Sequence, residues 1–273
     1  MAQKYCQYLA NLVFQHDGYT LCNKLWWKND LYCNYKETKL DYFLKRREEI
    51  LVNLYKGEVP QGCNECPYLH ELENDEFSNK IKSIEINHWN QCNCACTYCS
   101  NREATKLEIT KKRNNKGNVE IMPILKQFEK QGILDKDLKL NLVGGEPTVL
   151  KEFPDILKFV MKHHYSIDLS SNGIIYEKLI PKVLRETPNS YFLVSIDAGT
   201  SETFKKIKGV DEFDNVIKNL AKYVKESKET SNRIMAKYML LEGVNDNKEE
   251  IDKWIEVCQS IGITSFFPDI EFC

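Results

Sequence analysis

Cys92-Asn-Cys-Ala-Cys96-Thr-Tyr-Cys99 follows an apolar, strand-like run at 81–87 and its short exit, Asn87-His88-Trp89-Asn90-Gln91. The CxxxCxxC spacing places three thiols on one loop, and cysteine thiolates are the usual ligands of iron–sulfur clusters. Three ligands leave one iron of a four-iron cubane without a protein donor. An open metal position points to chemistry rather than structural support. Cys94 lies off this spacing and reads as a bystander thiol. A zinc knot that recruits Cys94 as fourth ligand competes for the same cysteines.

Outward from that loop, strand-like runs at 81–87, 138–143, 166–170, 191–196, 234–241 and 265–270 alternate with amphipathic runs at 121–131, 153–163, 175–186, 213–227 and 248–261. The last of these shows the helical period through Ile251, Trp254, Ile255 and Cys258. Such alternation implies parallel strands joined by right-handed crossovers. The expected fold is α/β, a partial (β/α)6 TIM-like barrel at 80–273 with a small cysteine-rich N-terminal module at 1–79. An open doubly wound sheet shares the alternation. The expected barrel stops near its sixth strand, as a truncated chain or one that leans on a partner would.

The 273 residues carry 38 basic and 40 acidic side chains, for a formal net charge of −2. A nucleic-acid partner would favour a basic surface, which this balance does not supply. The run Lys111, Lys112, Arg113 and Lys116 reads as a solvated loop. Eleven cysteines follow an N-terminus without the apolar core of a signal peptide. No stretch approaches the ~20 apolar residues of a membrane span. Reduced metal ligands in a cytoplasmic protein, with no membrane partner, are the expectation.

Further motifs sit where strands end. Gly144-Gly145-Glu146-Pro147 closes the second strand, and Ser170-Ser171-Asn172-Gly173 closes the third. Ser195-Ile-Asp197-Ala-Gly199 follows the fourth, then Ile207-Lys-Gly209, and Gly-Val-Asn245-Asp246 follows the fifth. Each also reads locally: an Asn-Gly turn, a helix start at Thr200 or Ser201 with a stop at Gly209, a cap at Asn245 or Asp246. Phe266 and Phe267 point to opposite faces of the sixth strand.

Taken together, CxxxCxxC and a Gly-Gly-Glu turn about fifty residues later resemble the radical S-adenosylmethionine (SAM) superfamily. The resemblance implies a 4Fe–4S cluster on Cys92, Cys96 and Cys99, with SAM at the open iron. It implies that Tyr98 packs on adenine, that Gly144, Gly145 and Glu146 accept hydrogen bonds from the methionine ammonium, and that Ser195 and Asn172 touch SAM, with Asp197 toward the substrate. The implied reaction is reductive cleavage of SAM to methionine and a 5′-deoxyadenosyl radical, which abstracts hydrogen from a substrate. An electron donor such as flavodoxin or ferredoxin would feed it.

Gly57-Glu-Val-Pro-Gln-Gly-Cys63-Asn-Glu-Cys66-Pro67 resembles SPASM and twitch auxiliary-cluster modules, here preceding the barrel rather than following it. With Cys22 and Cys33 these cysteines would close a second iron–sulfur cluster, or a four-cysteine zinc site, with Cys6 as an alternative ligand. Peptide or protein modification is the implied class, with oxidation or rearrangement of a small molecule as the alternative. A zinc-stabilised binding protein without catalysis is the rival from another class. No general acid or base is nominated; Glu103, Asp168 and Asp211 qualify only by being titratable, and His163-His164 reads as a helix end.

Overall fold

The computed structural model describes residues 4–6, 10–14, 18–20, 32–34, 40–60, 63–64, 66–71, 78–87, 89, 91–99 and 120–270, with the side chains of residues 5, 18, 19 and 32–34 outside the description. The chain divides into two compact units, residues 1–89 with 116–141, and residues 90–115 with 142–273.

The first unit runs β1 (Lys4–Cys6), β2 (Asn11–Phe14), β3 (Gly18–Thr20), β4 (Tyr32–Asn34), α1 (Leu40–Tyr55), β5 (Leu69–Glu71), β6 (Ile81–Ile86), α2 (Ile121–Gln131) and β7 (Leu134–Leu142). Its main strand order is β7-β6-β2-β3-β4, and β1 pairs separately with β5. β2 lies parallel to β6, with Leu12 opposite Ile84 and Phe14 opposite Ile86. β3 and β4 then continue antiparallel. The cysteine-rich segment therefore extends the sheet beside the strand that leads to the CxxxCxxC loop. All four of those apolar side chains are fully buried, so this pairing is part of the core.

Helix α1 is hidden in the sequence by its Lys45-Arg-Arg-Glu-Glu49 string. Its buried stripe is Phe43, Arg47, Ile50, Leu51 and Leu54, at helical spacing. Arg47 is admitted because its guanidinium donates to the carbonyls of Asn79 (2.7 Å) and Lys80 (3.1 Å). Helix α2 buries Ile121, Ile124, Leu125 and Phe128 and ends on Gly132 at φ +64°, a left-handed cap.

The second unit contains α3 (Phe153–His163), β8 (Ser166–Ser171), α4 (Ile180–Glu186), β9 (Tyr191–Ser195), α5 (Ser201–Lys208), α6 (Phe213–Ser227), β10 (Ile234–Leu240), α7 (Lys248–Ser260) and β11 (Ser265–Ile270). Its strands stand in chain order, β8-β9-β10-β11, and each adjacent pair is parallel. A doubly wound sheet reverses order at a switch point, whereas barrel winding does not. The described order follows the barrel pattern.

Register sorts the side chains into two faces. Val194, Ala236 and Phe266 share one row, and Ser195, Lys237 and Phe267 the next, on the opposite face. The first row meets helices: the Trp254 ring of α7 packs at a tilt against Tyr238 (4.7 Å) and edge-on against Phe266 (5.2 Å). α7 buries Glu250, Trp254 and Cys258, so a carboxylate occupies the turn where the apolar period suggested Ile251.

Helix α4 begins at Ile180, five residues later than the amphipathic run predicts. The preceding segment is held as a loop by α6. Asn219 donates to the carbonyls of Gly173 and Ile174, and the Tyr223 hydroxyl accepts from the Glu177 amide at 2.7 Å. Among the described residues, no helix is long and apolar enough to cross a membrane.

Candidate active site

The second unit contains the cluster loop and the strand ends around it. Cys92, Cys96 and Cys99 are half-buried, while Cys94 is 2% exposed. The Cys94 amide donates to Cys92 Sγ at 3.4 Å. Hydrogen bonding to the Cys92 and Cys96 sulfurs, then burial, pushes the Cys94 thiol far up. The same bonds pull its neighbours down. Cys92 is lowered chiefly by Cys94. Cys96 falls to about 6, first through Cys94 and against its own burial, with help from the Lys208 charge and Tyr98. Thiolates are the metal-binding form. Three half-buried cysteines beside a buried fourth fit a three-ligand cluster loop better than a four-cysteine knot.

Among the described residues, no three His, Cys, Asp or Glu side chains are gathered on one point as a single metal ion would need. A cubane asks for one thiolate per iron, so its ligands need not converge in that way.

Glu146 is 2% exposed and saturated by its own chain. Oε1 accepts from the Thr148 amide (3.1 Å), the Thr148 hydroxyl (2.7 Å) and the Ser171 hydroxyl (2.8 Å); Oε2 accepts from the Asn172 amide (2.7 Å). Burial pushes its carboxyl pKa up, and these donors oppose the shift. Its amide donates to the Gln91 carbonyl at 2.7 Å, tying this turn to the start of the cluster loop. Asn172 completes the tie through Nδ2, which donates to Asn93 Oδ1 (2.6 Å) and approaches Cys92 Sγ (3.7 Å). Gly144 stands exposed at φ +119°, a conformation closed to residues with a Cβ, and the adjacent Gly145 is half-buried. Ser195 is half-buried, opposite Lys237.

Asp197 takes a part that its sequence position did not suggest. It is fully buried at φ +59° and ion-paired with Lys208, which is 1% exposed. The Tyr98 hydroxyl donates to Asp197 Oδ2 at 2.6 Å and accepts from Lys208 Nζ at 3.0 Å. Burial, above all, pushes the Tyr98 hydroxyl pKa up. Burial alone would lower Lys208, but Asp197, then Tyr98 and Cys96, hold it well above its ordinary value. Asp197 Oδ1 accepts from the Met239 amide, and its carbonyl accepts from Asn245 Nδ2, both at 2.8 Å. Asp197 is thus a hub rather than a group offered to substrate.

Asn245 locks the turn after β10 instead of capping α7, a task that falls to Asn247. Thr200 caps α5, as expected, and Glu250 accepts from the Gly199 and Thr200 amides. Lys208 and Glu250 were missed as site-forming residues. The available signal for Lys208 was its place four residues after Phe204 on a stripe that turns inward.

The other candidates lie apart from this arrangement. Asp211 is an exposed partner of Lys205. His163 stacks on Tyr165 at 5.2 Å in the last turn of α3. Asp168 is half-buried on β8. Glu103, the basic run at 111–116 and Cys273 lie outside the described residues. In the first unit, the Cys66 amide donates to the Cys63 carbonyl at 3.0 Å, so both half-buried cysteines share one turn. Cys22 lies outside the described residues, as does the side chain of Cys33, whose backbone pairs with Tyr19.

Comparison with known proteins bears on the family and the fold. The profile of the Radical SAM superfamily matches residues 86–255, more than half of the chain. Similar curated proteins include the probable GTP 3′,8-cyclases of Archaeoglobus fulgidus (29% identical over 68% of this chain and 57% of that protein) and Pyrococcus abyssi (26%, 64% and 52%). The chain thus spans little more than half the length of the curated relatives it matches. Streptococcus suis SuiB bound to precursor peptide SuiA shares the fold at TM-score 0.53 and 16% identity, over 88% of this chain and 47% of that one. SuiB bound to SAM gives 0.54 at 14%, over 86% and 48%. The fold is accordingly an α/β partial TIM-like barrel, and the chain belongs to the Radical SAM superfamily, a family that implies a 4Fe–4S cluster and SAM.

Proposed function

We propose that Cys92, Cys96 and Cys99 hold the cluster, that the face built by Gly144, Gly145, Glu146, Asn172 and Ser195 receives SAM beside Tyr98, and that the substrate is a peptide or protein side chain. When bound, this pair of groups would supply one-electron reductive chemistry capable of removing hydrogen from an unreactive carbon. The carrying observation is the geometry of one loop: Cys92, Cys96 and Cys99 are half-buried at CxxxCxxC spacing while Cys94 is buried.

The chain's own part is placement. Gly144 lets the main chain approach a ligand without a Cβ. Glu146 holds the turn against the cluster loop. Its carboxylate is already occupied by four donors, so it would receive the methionine ammonium only by sharing an oxygen. Tyr98 offers the half-buried side of its ring, with its hydroxyl anchored away from solvent.

For the substrate, the segment from Gly57 to Cys66 favours a peptide by its likeness to SPASM and twitch modules. The curated relatives favour a second reading, a nucleotide-like small molecule. A flavodoxin or ferredoxin is the proposed electron donor. Anaerobic reconstitution, reduction with dithionite and assay for 5′-deoxyadenosine test the reaction. Product is expected from the unmutated protein and from Cys94→Ala, and none from Cys96→Ala. Colourless, iron-free protein, or iron lost only in Cys94→Ala, would overturn the assignment. Consumption of GTP in that assay would displace the peptide reading.

A further inference from the structure

The loop that carries Cys96 is attached to one helix end by bonds that involve no cysteine sulfur. The Ala95 amide donates to the Lys208 carbonyl at 2.8 Å, and the Thr97 amide to the Ile207 carbonyl at 2.9 Å. These carbonyls belong to the last turn of α5, where four such groups lack partners within the helix. Cys96 is thereby bracketed on both sides. Gly209 ends the helix at φ +71°, and a Cβ there would stand 3.0 Å from Ala95 Cβ. The helix end and the loop are therefore in close contact.

Lys208 reaches inward from that same turn to Asp197 and the Tyr98 hydroxyl, and Tyr98 returns to the loop between Cys96 and Cys99. A cation at a helix C-terminus also offsets the helix dipole. A buried ion pair restricts its partners to one arrangement, since any other leaves a charge unpaired. Main chain on both sides of Cys96 and the side chain two residues later are thus tied to the last turn of α5: Ala95 and Tyr98 to Lys208, and Thr97 to the adjacent Ile207.

We propose that Lys208 is a positioning residue for Cys96: its buried pair with Asp197, bonded to Tyr98, sets the ligating loop before any cluster is assembled. The proposal extends the cluster assignment and is tested partly without metal. Hydrogen–deuterium exchange on the metal-free protein compares peptides spanning 91–99 and α3. In Tyr98→Phe, which keeps the ion pair, exchange at 91–99 should quicken about tenfold, the scale of one lost hydrogen bond to a charged group. Lys208→Met should do at least as much, and Lys208→Arg should restore most of the protection.

Iron release to a chelator from reconstituted protein should follow the same order, from equal starting iron in the unmutated and Tyr98→Phe proteins. Unchanged exchange at 91–99 in Tyr98→Phe overturns the proposal. So does acceleration spread equally over α3, which would mark a general contribution to stability. If the unmutated protein takes up no iron, the cluster assignment fails while the exchange result still decides the positioning role. Should Lys208→Met not fold, Tyr98→Phe and Lys208→Arg carry the test.

Discussion

At Gly199 a Cβ would lie 2.4 Å from the Glu250 carbonyl oxygen and 2.6 Å from the Trp254 amide nitrogen. Both are backbone atoms of α7 and cannot swing aside. Gly199→Ala should therefore cost about 1–3 kcal/mol or more, read as a lower urea midpoint. Its reach should extend beyond stability, because Gly199 follows Asp197 and precedes the cap of α5. Single residues in this chain differ in how far sequence betrays them. Gly144 was legible because a paired glycine at a strand end signals close approach. Lys208 and Glu250 were not, since an isolated charge in a helix ordinarily faces water. Only the partners brought by other elements, Asp197 and the Gly199 amide, make their burial tolerable.

Among the elements, β6 carries a testable charge. Glu85 stands half-buried opposite Val13 of β2, and burial raises its carboxyl pKa. A folded carboxyl that ionises less readily than the unfolded one contributes stability below the unfolded pKa, and that contribution is lost as pH rises through the folded value. Glu85→Gln should therefore raise the urea midpoint at neutral pH, with the advantage fading toward about pH 4, near the ordinary glutamate pKa. Equal midpoints at all pH values would contradict this. Helices α2, α3 and α6 stand where their apolar periods predicted them, each with an unbroken buried stripe. Helix α4 started late because side chains of α6 claimed the carbonyls of residues 173 and 174, a competition no local pattern reports.

For the whole molecule, metal stoichiometry separates one cluster from two. Iron and sulfide near about eight per chain, falling to about four in Cys63→Ala, are expected if the N-terminal cysteines hold a second four-iron cluster. A count near about four in the unmutated protein removes that cluster, and zinc in its place points to the four-cysteine site. By itself the sequence determined the barrel rhythm, the three-thiol loop and the family, because periodicity, strand-end glycines and ligand spacing are local properties. Only the tertiary structure decided that the cysteine-rich segment lends β2 to the edge of β6, that Asp197 is spent on Lys208 and Tyr98, and that the glutamate of the Gly-Gly-Glu turn is held by Thr148, Ser171 and Asn172. Those outcomes depend on which distant groups meet out of water, where an unpaired charge or amide is too costly to leave alone.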